Sequence, residues 1–391
     1  MCCTFRSEDC ARAGVYRMRD TYDATHAQMR RQEPANGLEP LSPATLDACR
    51  DALQPHWRDG DGPVMLSYST SVSSNWMLGL SAARHGLPLV LAGLGMPRWS
   101  WYQGGRKKLP GTRRALQLIQ ALSPGRPVVS SDTGDLLISN AISAEHRRVL
   151  TKLSRSSRMI LAAECNSWPI CYRDDYAVDV EHQACLARYA ACYPNSGVLL
   201  ASVETLLKFY DVWAQAIVHP SHTHRAERWN DQAAVHRIYQ NRSQYAANGG
   251  FALRVDAESL FSLQLWKCEG PKEHSMRPFE FCHERSHDPT TSLRTEDGGQ
   301  SVIYTDSLGT VRRPFLVHSN GHHYVLREEE SHLGPLLQLY SRPSSALLSH
   351  PVMLVDTFHH GVCNITTLGW LMNAAKWPQD APALQLQSTR L

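Results

Sequence analysis

Two carboxylates, Asp132 and Asp135, stand at the end of an apolar run in the segment Pro127–Ile138, PVVSSDTGDLLI. In a parallel sheet the crevice outside the C-terminal strand ends is the usual ligand site. An Asp-Thr-Gly-Asp turn there can bring both carboxylates to one side. Such a pair can hold a divalent cation against a diphosphate, and its oxygen ligands suit Mn2+ or Mg2+. The same four residues also make a good Asx turn in a solvated strand–helix connection. Asp-Thr-Gly is also the nucleophile motif of aspartic proteases, which need two copies sharing a proton. No second copy occurs in this sequence, and its βα surroundings are wrong for that class.

A second candidate lies far along the chain. In Pro314–Gly321, PFLVHSNG, an apolar strand delivers His318 to its end, and a Ser-Asn-Gly turn follows. A neutral imidazole is a good ligand for Mn2+, and the turn can present backbone amides to phosphate. In isolation His318 would more often be a structural or surface histidine.

These residues need a scaffold of strands and crossovers. Pro63–Ser69 and Leu87–Gly93 are short apolar runs suited to buried strands, with a helical pattern over Ser73–His85 between them. That βαβ succession predicts a parallel sheet with a right-handed crossover. Pro127–Ser131, Arg158–Ala163 and Gly197–Ala201 read as further strands, and Ser301–Thr305 and Pro314–His318 have strand character. Helices are predicted near Pro43–Trp57 and over Arg113–Ala121, Ala144–Leu153, Ser202–Ala216 and Asn230–Tyr239, with Ser202 and Asn230 as caps. Arg98–Gly111 reads as a long loop or helix start, and Asn195–Gly197 as a tight turn before a strand. Residues 268–300 read as a polar excursion from the core.

Composition narrows the classes. The chain has 391 residues, 20% of them charged, and a net charge of +3. Charge at this level gives no global drive toward nucleic acid or an anionic membrane, and no apolar run reaches the length of a membrane span. The 11 cysteines show no repeated zinc spacing. Cys165 and Cys171, and Cys185 and Cys192, lie six and seven residues apart, which is no standard metal or redox spacing; mostly reduced, partly buried thiols are expected, with some disulfides open to a chain that folds in a secretory compartment. The first 20 residues carry no apolar signal segment.

Taken in order, several segments resemble the glycosyltransferase domain of procollagen lysyl hydroxylases and the related collagen galactosyltransferase-type enzymes. They are Gly93-Leu94-Gly95 with Trp99 and Gly104-Gly105-Arg106-Lys107-Lys108, then the D-x-x-D segment Asp132–Asp135, then Leu161–Glu164 followed by Trp168-Pro169. Tyr193–Gly197 is similar to the family's Y-x-x-S-G-G, with Val198 in place of the second glycine. Asn230-Asp231-Gln232 resembles its D-D-Q, and His318-Ser319-Asn320-Gly321 resembles its H-G-N-G, with Ser319 for the first glycine. The resemblance covers 63–325, and by length no lysyl hydroxylase oxygenase domain is expected in these 391 residues.

The resemblance implies an α/β fold, a GT-A-like nucleotide-sugar transferase with a mostly parallel central sheet. Residues 1–62 become an N-terminal extension, 63–325 the transferase domain, and 326–391 a C-terminal extension of unread role. It implies a metal-dependent transfer of a hexose, glucose or galactose, from a UDP-sugar to a hydroxyl of hydroxylysine or of another protein or glycan site. Asp132, Asp135 and His318 become ligands for Mn2+, with Mg2+ as the alternative. Lys108 is assigned to the donor diphosphate, and Tyr68, Ser69 and Thr70 to uridine or ribose. Asn195, Ser196 and Gly197 are assigned to the sugar or acceptor, with Trp168 and Glu164 as walls and Asn320 and Gly321 beside phosphate. Asp231 orients the sugar or acts as base, and Gln232 adds an amide contact. Whether the transfer inverts or retains stays open. The alternatives are a catalytically weak, lectin-like or sugar-nucleotide-binding protein of the same fold, and metal-dependent hydrolysis on an α/β sheet. Expected partners are the donor and a protein or glycan acceptor, with no nucleic acid and no transmembrane segment. The resemblance points to the endoplasmic reticulum lumen, and the missing signal segment keeps the cytoplasm open.

Overall fold

The computed structural model describes residues 41–57, 60, 62–69, 76–94, 104–132, 136–164, 176, 178–189, 191–218, 231–265, 293–306, 308–318, 336, 340, 343–357 and 361–374. Its strands are β1 (Val64–Tyr68), β2 (Leu89–Ala92), β3 (Pro127–Ser131), β4 (Leu136–Ile138), β5 (Arg158–Glu164), β6 (Tyr193–Ser202) and β7 (Ala252–Val255). They continue with β8 (Ser262–Gln264), β9 (Arg294–Glu296), β10 (Ser301–Thr305), β11 (Val311–Arg312), β12 (Leu316–His318), β13 (Pro351–Thr357) and β14 (Gly361–Thr367). The helices are α1 (Pro43–Leu53), α2 (Trp76–Arg84), α3 (Gly104–Leu122), α4 (Ala144–Leu153) and α5 (Val180–Leu186). After them come α6 (Val203–Val218), α7 (Asp231–Gln240), α8 (Arg242–Ala247), α9 (Ser345–Leu348) and α10 (Leu368–Ala374).

The molecule is an α/β protein built on one large mixed sheet. Eight strands run in the order β14-β13-β2-β1-β3-β6-β5-β7. β13, β2, β1 and β3 pair in parallel, as do β5 and β7, whereas β6 is antiparallel to both of its neighbours and β14 to β13. The expected parallel pairing across the first βαβ unit is present, with Met65 opposite Leu89. Strands covered on both faces read as continuous apolar runs, and β1 and β2 are buried at every residue. Their side chains alternate between two cores, as the pleat requires. Leu66 and Val90 join Leu116, Phe209 and Trp213 on one face, while Met65 and Leu89 join Leu78, Leu137 and Val317 on the other. A small sheet, β4-β12-β8, delivers His318 from the second face.

Of the two readings of Arg98–Gly111, the helix start holds for its described part, since α3 begins at Gly104 and runs through Pro110. Pro110 removes a backbone donor, but burial of Leu109, Ala115, Leu116, Leu118 and Ile119 supplies the packing that most helical stability rests on. Asn195–Gly197 is no turn before a strand, because β6 already begins at Tyr193. The pairing with β5 shifts between Leu161 and Ala162, and the Asn195 side chain accepts the Gly197 N–H at 2.7 Å. Four of the cysteines form the disulfides Cys49–Cys363 and Cys185–Cys192, within what the sequence leaves possible. The first ties α1 to β14, and the second ties the end of α5 to the residue before β6.

The chain beyond 325 returns to the main sheet through β13 and β14, and α1 packs on the same core. Among the described residues no helix is long and apolar enough to cross a membrane.

Candidate functional site

Parallel strands leave their C-terminal ends on one edge, and there the topology gathers most of the candidate residues. β3 ends into Asp132, β1 into Ser69, β5 ends at Glu164 and β12 at His318. The reversed strand β6 brings its first residues, Tyr193–Gly197, to the same edge. α7 opens there with Asp231, where a carboxylate is favoured by the helix dipole.

Lys108 is the electrostatic centre. Its side chain is only 4% exposed, and its Nζ donates to Asp132 Oδ1 at 2.6 Å and to Asp231 Oδ2 at 3.0 Å. Burial alone would lower the lysine pKa, but the two carboxylates outweigh it and hold the ammonium above its ordinary value. Asp231 Oδ1 accepts the Gln232 N–H at 2.9 Å. The Asp132 side chain stays 37% exposed, so this carboxylate faces solvent while remaining paired. One ammonium against two carboxylates leaves a formal charge of −1. Beneath them, the Tyr210 hydroxyl lies 2.9 Å from Ser130 Oγ, and burial pushes its pKa up.

Gly197 touches both Asp132 and His318. The Asp132 N–H donates to Gly197 O at 2.9 Å. The imidazole rests so closely on Gly197 that an added Cβ would lie 2.2 Å from His318 Cε1. Glycine is needed there for close approach rather than for a turn. His318 is buried, with Nδ1 2.5 Å from Gln264 Oε1, while Gln264 Nε2 donates to Ser262 Oγ at 2.7 Å. An amide oxygen only accepts, so Nδ1 carries a hydrogen, the arrangement in which a metal-ligating histidine uses Nε2.

A buried polar network stands behind this pair. Asn195 Nδ2 donates to Glu164 Oε2 at 3.0 Å, and Gln232 Nε2 donates to Glu164 Oε1 and to Pro194 O, the latter at 2.8 Å. Gln232 Oε1 accepts the Ser196 N–H at 2.5 Å. Both amide atoms of Gln232 therefore brace the start of β6. His236 continues the network, 3.2 Å from Gln232 Nε2 and 2.7 Å from the Tyr176 hydroxyl.

The structure thus brings together Lys108, Asp132, Glu164, Asn195, Ser196, Gly197, Asp231, Gln232 and His318. Tyr68 packs its ring against Gly93, whose φ is +79°, and belongs to the core of one sheet face. Ser69 is buried at the end of β1, its N–H donating to Ala92 O at 2.9 Å. Thr70, Asp135, Trp168, Asn320 and Gly321 lie outside the described residues. Val198, in place of the family's second glycine, packs in the other core without disturbing the strand. Gln264, His236 and Tyr176 were not singled out from the sequence. Only Gln264 left a signal there, as a polar residue within the apolar run Phe261–Leu265.

Asp132 and His318 offer the oxygen and nitrogen donors that Mn2+ accepts, and the site's residual negative charge favours a cation. The residues present fit such an ion. Among the described residues no group of three or more His, Cys, Asp or Glu is assembled as a metal cluster. No protein-family model matches the chain, and no curated protein matches it.

Proposed function

We propose that this chain is a metal-dependent glycosyltransferase of the GT-A type, moving glucose or galactose from a UDP-sugar to a hydroxyl acceptor. The observation that carries this reading is the convergence of Lys108, Asp132 and Asp231 at the C-terminal strand edge, with Gly197 touching both Asp132 and His318. A diphosphate would not settle on carboxylates bearing net negative charge unless a cation came with it. Mn2+ or Mg2+, held by Asp132 and His318 and, by resemblance, Asp135, would supply neutralisation of the leaving diphosphate.

The protein's own groups divide the remaining work. Lys108 supplies a positive charge next to the phosphates. Asp231 faces the same space from the helix N-terminus and orients a sugar or acceptor hydroxyl. The Lys108 ammonium occupies Asp231 Oδ2 at 3.0 Å, so that oxygen takes a proton from the acceptor only if the ammonium moves away; otherwise the leaving phosphate takes it. Glu164 and Gln232 hold Asn195, Ser196 and Gly197 in register and thereby set the distance between Asp132 and His318. Most of the rate effect in this account comes from oriented charge.

The test is release of UDP from UDP-glucose and UDP-galactose, with and without Mn2+, by wild type, Asp132→Asn and His318→Ala. Mn2+-dependent release that both substitutions abolish is expected. UDP-sugar binding without release, at every acceptor offered, would favour the lectin-like alternative. Phosphate release without sugar transfer would favour hydrolysis.

A further inference from the structure

Lys108 holds a position that a bound cation would contest. Its ammonium sits 2.6 Å from Asp132 Oδ1, on the carboxylate proposed as a metal ligand, and its other contact, Asp231 Oδ2 at 3.0 Å, pulls a second carboxylate to the same point. The side chain is almost wholly buried, whereas Asp132 remains partly open to solvent. Lys108 reaches the site from α3, whose inner face is locked into the core by Leu109, Leu116 and Ile119. The Lys108 carbonyl also accepts the Thr112 hydroxyl at 2.8 Å, which pins the backbone beneath the side chain. Only the four-carbon stem is left to move.

An ammonium contacts each carboxylate as a point charge with one hydrogen bond, unlike the bidentate fork of arginine. Such contacts can be exchanged one at a time. A divalent ion on Asp132 would face the ammonium at a few ångströms, where like charges repel strongly. The two cations therefore compete for one carboxylate.

Building on the metal-site reading above, we propose that Lys108 is a built-in stand-in for the divalent cation. It bridges Asp132 and Asp231 when the ion is absent, and it yields Asp132 when the ion binds. The stand-in keeps two carboxylates from repelling each other in the empty protein and lowers the intrinsic affinity for the ion. The displaced amine stays tethered at Asp231, beside the place assigned to the donor diphosphate.

The direct test is Mn2+ binding to the full chain without nucleotide, followed by electron paramagnetic resonance of the free ion. Lys108→Gln should bind Mn2+ at least about tenfold more tightly than wild type. Adding Asp132→Asn should remove that gain. No tightening, or a gain that survives Asp132→Asn, overturns the proposal. Should Lys108→Gln fail to fold, the wild-type protein decides the matter alone. Amine acylation mapped by peptide mass spectrometry should find Lys108 slow to react without metal, relative to the exposed Lys208. Saturating Mn2+ should speed Lys108 several-fold and leave Lys208 unchanged; an unchanged or slower rate at Lys108 overturns the exchange. Neither readout uses nucleotide or turnover. A protein that shows the exchange yet releases no UDP sinks the transferase reading and leaves this one standing, and the reverse result does the opposite.

Discussion

Two clusters in this molecule each place one basic side chain between two carboxylates. At the strand edge Lys108 bridges Asp132 and Asp231. On the helical side Arg242 bridges Asp179 and Glu181, with both of its terminal nitrogens on Asp179, at 2.5 and 2.7 Å. Arg242 also lies over the Tyr239 ring at 4.4 Å, and Asp179 caps α5 by accepting the His182 N–H at 3.0 Å. Arg242 and Asp179 are thus each used twice for structure. The guanidinium fork matches the Asp179 carboxylate and leaves nothing there to exchange. The Lys108 cluster has the same stoichiometry but single contacts. The difference teaches that an ion pair's duty follows from contact geometry, not from charge count.

The largest effect that would break this contrast is catalytic. Asp132→Asn should cut UDP release at least about 100-fold, the scale of losing one preorganised electrostatic group, with the thermal midpoint held or raised. A variant that keeps turnover would place Asp132 with the structural cluster. Arg242→Ala should do the reverse, lowering unfolding free energy by about 2 kcal/mol through loss of a partly buried, forked pair. Denaturant titration reads that loss, and its UDP release should match wild type at equal folded fraction.

Gly197→Ala sharpens the site from within. The added methyl would meet His318 Cε1 at 2.2 Å and Asn195 Oδ1 at 2.8 Å. Overpacking of this kind costs about 1–3 kcal/mol, so calorimetry should show a lower midpoint, and Mn2+ binding should weaken because His318 is pushed from its place. Unaltered Mn2+ binding would remove His318 from the ligand set.

The smallest effect concerns pH. The His182 side chain is fully buried between Tyr176 and Tyr193, and neither ring nitrogen has a hydrogen-bond partner. Burial, opposed by the Asp179 carboxylate and helped by Arg242, holds its pKa down to about 4. The folded state therefore keeps it neutral, and the stability it contributes is complete above the ordinary value of 6.5 and lost as pH falls toward 4. Asp256 runs the other way. Burial, against three backbone N–H donors, pushes its carboxyl up to about 6, so its contribution grows as pH falls through that value. The difference between wild type and His182→Phe isolates the histidine. It should narrow by on the order of 1–2 kcal/mol between pH 6.5 and 4, and a pH-independent difference would mean that His182 finds a proton acceptor when charged.

Much of the sheet was legible because its central strands are continuous apolar runs with turn residues at both ends. The Pro127–Ser131 strand and the Ala144–Leu153 helix stand where hydrophobic periodicity put them. The start of β6 was not legible, because Pro194, Asn195, Ser196 and Gly197 are turn residues by type. Pairing with Ala162–Glu164 of β5, together with side-chain bonds from Asn195 and Gln232, holds them extended, and both β5 and Gln232 are remote in sequence. The same limit blurred the first turns of α3, where Gly104, Gly105 and Pro110 speak against a helix until the buried face is counted, whereas Arg113–Ala121 read as helix. At the site the acidic and histidine candidates stood out by type. The pairing of Lys108 with both Asp132 and Asp231 joins residues 24 and 123 positions apart, which local spacing does not reveal. Disulfide pairing was hidden for the same reason, since Cys49 and Cys363 are separated by 314 positions.

The account turns on whether Asp132 and His318 hold a divalent ion beneath a nucleotide diphosphate. A crystal structure of the full chain soaked with UDP and Mn2+ tests this most directly. It should show the ion bound by Asp132 and by Nε2 of His318, the diphosphate on the ion, and Lys108 moved off Asp132 while still near Asp231. An ion or nucleotide seated elsewhere, with Lys108 still bridging both carboxylates, would contradict it.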